Sequence, residues 1–350
     1  MLPRVAIVYL AYNSKPYLDE VFLSLEQLNY PKDKLEIIAV DNASPDGSAE
    51  VLRQIQGITF FPNKKNLGFA EGNNLGINHA LLSGVDYVYL LNNDAKLDSD
   101  AIMEAVKLAE SDERIGSVQS RMMLWKQPDV LNSTGGMVHF LGFGFVRDNG
   151  SRWDEVSVED AEQIAYASGA AVLYRASVLR KVGLLDPFYF LYHEDLELGW
   201  RIRLAGYRNV LSINSIAYHD YEFKRSIQKF YWMERNRVLV HLSHLRLRSL
   251  ALIAPLMIGL EFGLILFAIK GGWIKEKLLV YRSFLSLRTC KHLIKKRRHS
   301  CIIRSVSDKE IVRMFTGRLE HQETKSKIVD SFANPILATV WWLMRKIIQW

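Results

Sequence analysis

The hydrophobic pattern of the first 120 residues alternates between two signatures. Short continuous apolar runs, VAIVYLAY (5–12), LEIIAV (35–40), ITFFP (58–62) and YVYLL (87–91), have the length of buried strands. Between them, KPYLDEVFLSLEQL (15–28) spaces Leu18, Val21, Phe22, Leu25 and Leu28 as one helical face. SPDGSAEVLRQI (44–55) passes from turn residues into a helix, and GFAEGNNLGINHALL (68–82) enters a helix through glycines. A further helix is expected from Asp98 to Glu110, followed by the strand IGSVQSRMM. This alternation predicts an α/β fold with a doubly wound, mostly parallel sheet. Ligands of such sheets sit beyond the carboxyl ends of the strands.

Further along, residues 121–165 read as a glycine-rich loop or short hairpins. Residues 165–186 give a strand and a short helix, a helix is expected from Asp195 to Gly206, and NVLSINSIAYHDY gives a strand pair with His219 near its end. From about Ser226 the chain becomes helical and aromatic. The stretch 249–269 is apolar apart from Pro255 and Glu261 and is long enough to span a bilayer. Glu261 near its middle would cost a few kcal/mol in hydrocarbon. A spanning or re-entrant helix, a helix in the interface, and a buried core helix all remain open.

Charge sharpens the division. Residues 1–245 carry 25 Lys+Arg against 31 Asp+Glu, whereas residues 246–350 carry 20 against 7. The expected organisation is therefore a catalytic-type domain over 1–245 and a basic, apolar helical region over 246–350. The run 288–304 holds seven Lys/Arg beside the apolar stretch, and NPILATVWWLMRKIIQW is Trp-rich and amphipathic. Both suit an anionic membrane surface. The mildly acidic first part argues against a nucleic-acid partner. Cys290 and Cys301 lack the spacing of a zinc site or a disulfide framework and read as reduced surface thiols of a cytoplasmic protein. The opening segment reads as a first strand and not as a secretory leader.

Polar residues collect at the predicted strand ends: Tyr12, Asn13 and Ser14, then Asp41 and Asn42, then Asn66, then Asn92, Asn93 and Asp94. Singly, each is a turn former or a helix cap; together they mark a rim. Asp41 could accept from a base imide or a ribose. Gly68 and Gly72 would let backbone approach a ligand, and Asn66, Asn73 and Asn74 offer neutral donors. One carboxylate, Asp94, could hold a hard divalent ion completed by substrate phosphates and water. His219 would turn this into a mixed O/N site suited to Mn²⁺ or Mg²⁺. Glu194 and Asp195 meet at a helix start, where the dipole favours ionised acids, and one could take a proton from an attacking hydroxyl.

The motifs VYLAYNS, LEIIAVDNASPDGS, NLGFAEGNNLGI, YVYLLNNDA, SGAAVLYRASVLRKVGLLDPFYFLYHEDLELGWRIRLAGY and AYH resemble, in this order, those of family 2 glycosyltransferases over residues 4–245. The rhamnosyltransferase-like branch that builds cell-surface polysaccharides is the nearest in pattern. The resemblance implies a GT-A fold, a nucleotide-diphospho-sugar donor (dTDP-rhamnose or a UDP-sugar) and inversion at the anomeric carbon. It implies donor contacts from Tyr12, Asn13, Asp41, Asn66, Gly68, Asn73, Asn92 and Asn93, and metal ligation by Asp94 and His219. Asp195 would be the base with Glu194 as its partner, and Trp200 and Arg201 would line the acceptor cleft. Asn92 stands where the family's metal motif has its first acid. The implied acceptor is a glycan on a polyprenyl diphosphate at the cytoplasmic face of a membrane. The rival readings are a sugar-phosphate nucleotidyltransferase and a non-catalytic, membrane-tethered sugar-binding protein.

Overall fold

The computed structural model describes residues 2–221, 227–320 and 329–350. The chain opens with β1 (Val5–Ala11), α1 (Leu18–Glu26), β2 (Leu35–Asp41), α2 (Ser48–Gln54), β3 (Ile58–Pro62), α3 (Gly68–Leu82) and β4 (Tyr87–Asn92). β5 (Ala95–Leu97), α4 (Ala101–Glu110) and β6 (Ile115–Leu124) follow. The stretch expected to be loops or hairpins forms β7 (Gln127–Ser133), β8 (Gly136–His139), β9 (Gly144–Val146) and β10 (Gln163–Ile164). Next come β11 (Ala171–Arg175), α5 (Ala176–Val182), α6 (Glu194–Leu204) and β12 (Arg208–His219). β12 is a single strand with a register shift between Ser212 and Ile216, not the expected pair.

The main path of the sheet runs β10-β12-β6-β11-β4-β1-β2-β3. β1 pairs in parallel with both β2 and β4, β2 with β3, and β6 with β12, while β11 runs antiparallel between β4 and β6. The carboxyl ends of β1, β2, β4, β6 and β12 therefore share one edge with the entry to β11. The order reverses at β1, and the crevice of such a switch point opens on that edge.

Alternation along β1 explains why its run is continuous. Ala6, Val8 and Leu10 join one core cluster, and Val5, Ile7, Tyr9 and Ala11 join the other, so both faces are covered. Gly72 on α3 lies against this layer: a Cβ there would stand 2.7 Å from Leu10, so the glycine admits a helix to a strand and not a ligand to backbone.

The C-terminal third consists of α7 (Ile227–His244), α8 (Leu247–Lys270), α9 (Ile274–Phe284), α10 (Leu287–Ile303), α11 (Asp308–Val312), β13 (Phe315–Thr316) and α12 (Asn334–Ile347). The first side chains of the helix expected near Ser226 lie outside the described residues. These helices share the sheet's own core. Ile303, Ile311, Phe315, Trp341 and Met344 belong to the cluster that contains Val8 and Leu10, Trp341 stacks on Phe140 at 4.9 Å, and β13 extends β8.

The basic helix α10 is correspondingly two-sided. Lys296 is buried and contacts Glu197 at 2.6 Å and Asp186 at 3.0 Å, and Arg297 donates to the carbonyls of Leu242 and Leu245. Only its other residues, such as Lys291, Lys295 and Arg298, are exposed. Glu197, on α6, is fully buried, yet Arg201 reaches it at 2.7 Å and His244 at 3.1 Å. Burial alone would raise its carboxyl, but Arg201, Lys296 and His244 outweigh this and hold it well below the ordinary carboxylate range.

α7 also fixes a strained loop ahead of α6. Phe190, Tyr192 and His193 have φ of 59°, 66° and 69°, left-handed values that non-glycine residues rarely adopt. The buried Asn236 amide donates to the carbonyls of Tyr189 (3.0 Å), Leu191 (3.0 Å) and Tyr192 (2.7 Å). Phe69 N–H donates to the Phe190 carbonyl at 2.9 Å. Gly68 makes this approach possible: at φ +79°, a Cβ there would lie 2.6 Å from the Phe190 ring.

Two predictions follow from this packing. Asn236→Leu removes the donor from three loop carbonyls and is expected to destabilise the chain by about 1–3 kcal/mol. Its melting temperature should fall by several degrees, and limited proteolysis should nick residues 187–193 first. The second concerns acid. Burial pushes His139, His193 and His244 down to about 4 and His241 down to about 3. The unfolded chain takes up protons near the ordinary 6.5, whereas the folded chain does not. The contribution of these four histidines to stability should therefore be complete above about pH 6.5 and fall steadily toward pH 4, as read by the urea midpoint across that range.

Candidate functional site

Two half-sites lie on the carboxyl edge of the sheet. The first is built by β4 and β12. β4 is apolar because it is covered on both faces, and it delivers Asp94 just past its end. β12 ends on His219, whose Nε2 lies 3.1 Å from Asp94 Oδ1. The other ring nitrogen, Nδ1, lies 3.0 Å from Oδ1 of the buried Asn132 on β7. With the Asn132 oxygen facing it, Nδ1 can carry the proton, and Nε2 would then present its lone pair to the Asp94 carboxylate. Two acceptors at that separation need a proton or a cation between them. The pair thus fits a divalent ion through one oxygen and one nitrogen. No cluster of three or more His, Cys, Asp or Glu occurs among the described residues, so water and phosphate oxygens would complete such a shell.

The rim around this pair is braced by its own side chains. Asn93 donates to the Tyr12 carbonyl at 3.0 Å, and the Tyr9 hydroxyl donates to the Asn93 carbonyl at 3.2 Å. Tyr12 is 42% exposed beside them, and Asn13, at φ 54°, takes Ser44 Oγ on its N–H. Asp41 closes β2, and both its oxygens accept from the Ser44 N–H. Asn42 is the hub of the next loop: it donates to Asn66 Oδ1 and the Gly68 carbonyl, and it accepts from Leu67 N–H. Asn66 is exposed, with its carbonyl closing its own turn on Gly68 N–H at 2.8 Å. The Asn92 N–H donates to the Ala170 carbonyl at 2.9 Å.

The second half-site is the start of α6. Asp195 Oδ1 accepts from Leu196 N–H at 2.7 Å, and Oδ2 accepts from Gly169 N–H at 3.2 Å. Glu194 is buried, and its Oε2 has no partner. Burial raises both carboxyls, and the charge of Asp195 raises Glu194 further, well above the ordinary range. Two acids side by side whose environments differ divide into a proton holder and a proton acceptor. Two backbone N–H donors favour the charged form of Asp195, whereas Glu194 Oε2 has no donor.

Residues 168–170 join the halves. The Ala170 carbonyl takes the Asn92 N–H of β4, and the Gly169 N–H holds the Asp195 carboxylate. A Cβ on Gly169 would lie 2.8 Å from Phe69, so a side chain has no room there.

Three expected ligand contacts, besides Gly68 at Phe190, are corrected. Trp200 is buried against His241, His244 and Phe315. Arg201 is 1% exposed and holds Glu197 and the carbonyls of Gly183 and Leu184 at 2.8 and 2.6 Å. Neither lines a cleft, because five and six residues beyond Asp195 lie about 140° and 240° around the helix from it. Asn73 is buried on α3, its amide donating to the Phe69 carbonyl one turn back at 3.0 Å. Asn132, Gly169 and Asn236 support the site without standing out in the sequence, since Asn132 and Asn236 act on residues 87 and 44–47 positions away.

Comparison with known proteins agrees with this architecture. Residues 6–183 match the family model "Glycosyl transferase family 2". The chain is 24% identical over 210 residues to the poly-beta-1,6-N-acetyl-D-glucosamine synthase of Staphylococcus aureus, covering 59% of this chain and 47% of the synthase. It therefore spans about half the length of that relative. It is 27% identical over 233 residues to the N-acetylglucosaminyl-diphospho-decaprenol L-rhamnosyltransferase of Mycobacterium tuberculosis, covering 60% of this chain and 73% of that one. The mannosyltransferase PcManGT of Pyrobaculum calidifontis, solved with GDP-Man and Mn2+, superposes with a TM-score of 0.52 at 16% identity over 86% of this chain and 87% of the other. The curled, mostly parallel sheet with its loaded carboxyl edge is the GT-A fold, and the chain belongs to glycosyl transferase family 2.

Proposed function

We propose that the chain is an inverting glycosyltransferase that moves a sugar from a nucleotide-diphospho-sugar to a hydroxyl of a glycan acceptor. The observation that carries this reading is the tie between the halves: residues 168–170 hydrogen-bond both Asn92 beside Asp94 and the carboxylate of Asp195.

Asp195 accepts the proton of the acceptor hydroxyl as its oxygen attacks the anomeric carbon. The bond from that carbon to the diphosphate oxygen breaks on the opposite face, so a single displacement inverts the centre. Glu194, which keeps its proton, donates from its unpartnered Oε2 to a sugar hydroxyl. Asp94 and His219 would hold a divalent cation, Mg²⁺ or Mn²⁺, which when bound supplies neutralisation of the diphosphate charge. Asn132 keeps His219 in the tautomer that presents Nε2. Asp41 and the exposed Tyr12 and Asn13 would receive the nucleoside. The superposed mannosyltransferase, solved with GDP-Man and Mn2+, supports a sugar nucleotide and a metal. The name of the mycobacterial relative supports a rhamnosyl donor and an acceptor on a polyprenyl diphosphate. With such an acceptor the chain would work at the cytoplasmic face of a membrane.

Asp195→Asn keeps size but cannot take the proton, and its single amide oxygen retains only one of the two backbone N–H bonds. Transfer should fall by about 10²–10⁴-fold with the donor dissociation constant changed by less than about threefold. Full turnover by this variant would refute the base assignment. Calorimetry tests the metal pair. Mn²⁺ should strengthen binding of a nucleoside diphosphate to the native chain; Asp94→Ala should abolish that gain, and Asn132→Ala should weaken metal binding by about 10–100-fold. An unchanged Mn²⁺ effect in Asp94→Ala would remove Asp94 as a ligand.

A further inference from the structure

α8 is the one helix among the described residues long and apolar enough to cross a membrane, yet its two sides differ. Its inner side is fixed to the body at several levels. Ser249 donates to Asp308 at 2.6 Å, Ile253 is buried in the core, and Ala268 is fully buried. At mid-helix, Glu261 meets Arg237 of α7 at 2.5 Å, and Lys277 and Tyr281 of α9 at 2.7 Å each. The outer side is bare: Ile258, Phe262, Leu266 and Phe267 are 53–69% exposed and follow one another at helical spacing. α9 adds exposed Leu278 and Leu279, and α12 adds exposed Ile336, Trp342, Leu343 and Ile347.

Charge says what covers this surface. The exposed charged residues of these three helices are Arg248, Lys270, Lys275, Arg282, Arg345 and Lys346, all cationic. The acid at the middle of α8 is turned inward and paired. Apolar side chains with Trp342 among them, accompanied by six exposed cations and, of acids outside the inward Glu261, only the half-exposed Glu276, match the acyl boundary and headgroups of an anionic bilayer.

The inward Glu261 also sets the orientation. Arg237 adjoins Asn236, which holds the loop before Asp195. Were α8 to span a bilayer, Glu261, Arg237 and Lys277 would lie at the hydrocarbon midplane with the polar catalytic body around them, at prohibitive cost. We infer that α8, α9 and α12 form a monotopic docking face: α8 lies in the plane of an anionic membrane, its outer side in the acyl boundary and its inner side on the catalytic body. The inference rests on the membrane placement given above and adds the surface and its orientation.

Flotation of the full chain with vesicles of phosphatidylglycerol and phosphatidylethanolamine tests it, with phosphatidylcholine vesicles as the comparison. Strong binding to the anionic vesicles, weakened by salt, is expected. The F262S/L266S variant should lose at least about tenfold in vesicle affinity with an unchanged melting temperature, because both side chains face outward. Bimane placed at Ile258→Cys or Leu266→Cys, in a chain with Cys290→Ser and Cys301→Ser, reads orientation through doxyl-lipid quenching. An in-plane helix gives both positions the same shallow depth, whereas a span separates them by about 12 Å. A depth gradient, absence of flotation, or a lipid-independent dimer abolished by F262S/L266S would overturn the inference. Transfer to a water-soluble acceptor is measured in parallel. Binding without transfer leaves the docking face standing and refutes the reaction; transfer without binding does the reverse.

Discussion

Glu197 carries a charge in a place where water does not reach, and the rest of the molecule is arranged around that fact. A lone carboxylate there would cost several kcal/mol of desolvation. It is tolerated because Arg201 comes from one turn along the same helix, His244 from α7, and Lys296 from a helix ninety-nine positions later in the chain. Lys296 then reaches Asp186, which lies just before the strained loop. Three helices are thus pinned to one carboxylate on the very helix that presents Glu194 and Asp195. Such a cluster adds little net stability, but removing one member leaves an uncompensated charge. It specifies one arrangement of the helices and penalises others.

That rigidity serves the loop at 189–193. Three left-handed non-glycine residues store about 1–3 kcal/mol each. Hydrogen bonds from Asn236 and Phe69 offset the strain, and both donors sit on elements that are themselves fixed. The path into α6 is therefore bent by the packing around it and not by its own sequence preference. Its result is that Glu194 and Asp195 arrive at the helix start, beside Gly169, with their side chains at the sheet edge.

The sequence displays the parts of this design that are local. Strand–helix alternation is visible because a strand buried on both faces must be apolar throughout, and β1 and β4 are. Asp94 is visible because it breaks such a run at a ligand-bearing edge. His219 is visible because it ends another. Adjacency in sequence to Asp195 does not make Trp200 and Arg201 its neighbours at the cleft, because the helix turns them toward the interior. The basic run 288–304 looked like a solvated or lipid-facing surface, since a string of letters does not show that Lys296 points at a carboxylate. Asn132 and Asn236 carry no local mark at all. Each is an ordinary amide on an ordinary element, and its role exists only through contacts closed by the whole fold.

The two acids at α6 show how the same physics produces function. Burial disfavours charge on both, and their proximity forbids two charges, so the pair carries one. Asp195 keeps it because two backbone N–H groups solvate its oxygens, while Glu194 has an oxygen with no partner. Across residues 168–170, Asp94 Oδ1 and His219 Nε2 face each other at 3.1 Å, an oxygen and a nitrogen placed to share a proton or a cation. In the proposed reaction, a substrate whose diphosphate brings negative charge to the Asp94 side and whose acceptor brings a hydroxyl proton to the Asp195 side would satisfy both at once. The short link through Gly169 and Ala170 ties Asn92 to the Asp195 carboxylate, so the separation of the two half-sites is set by backbone and not by flexible side chains.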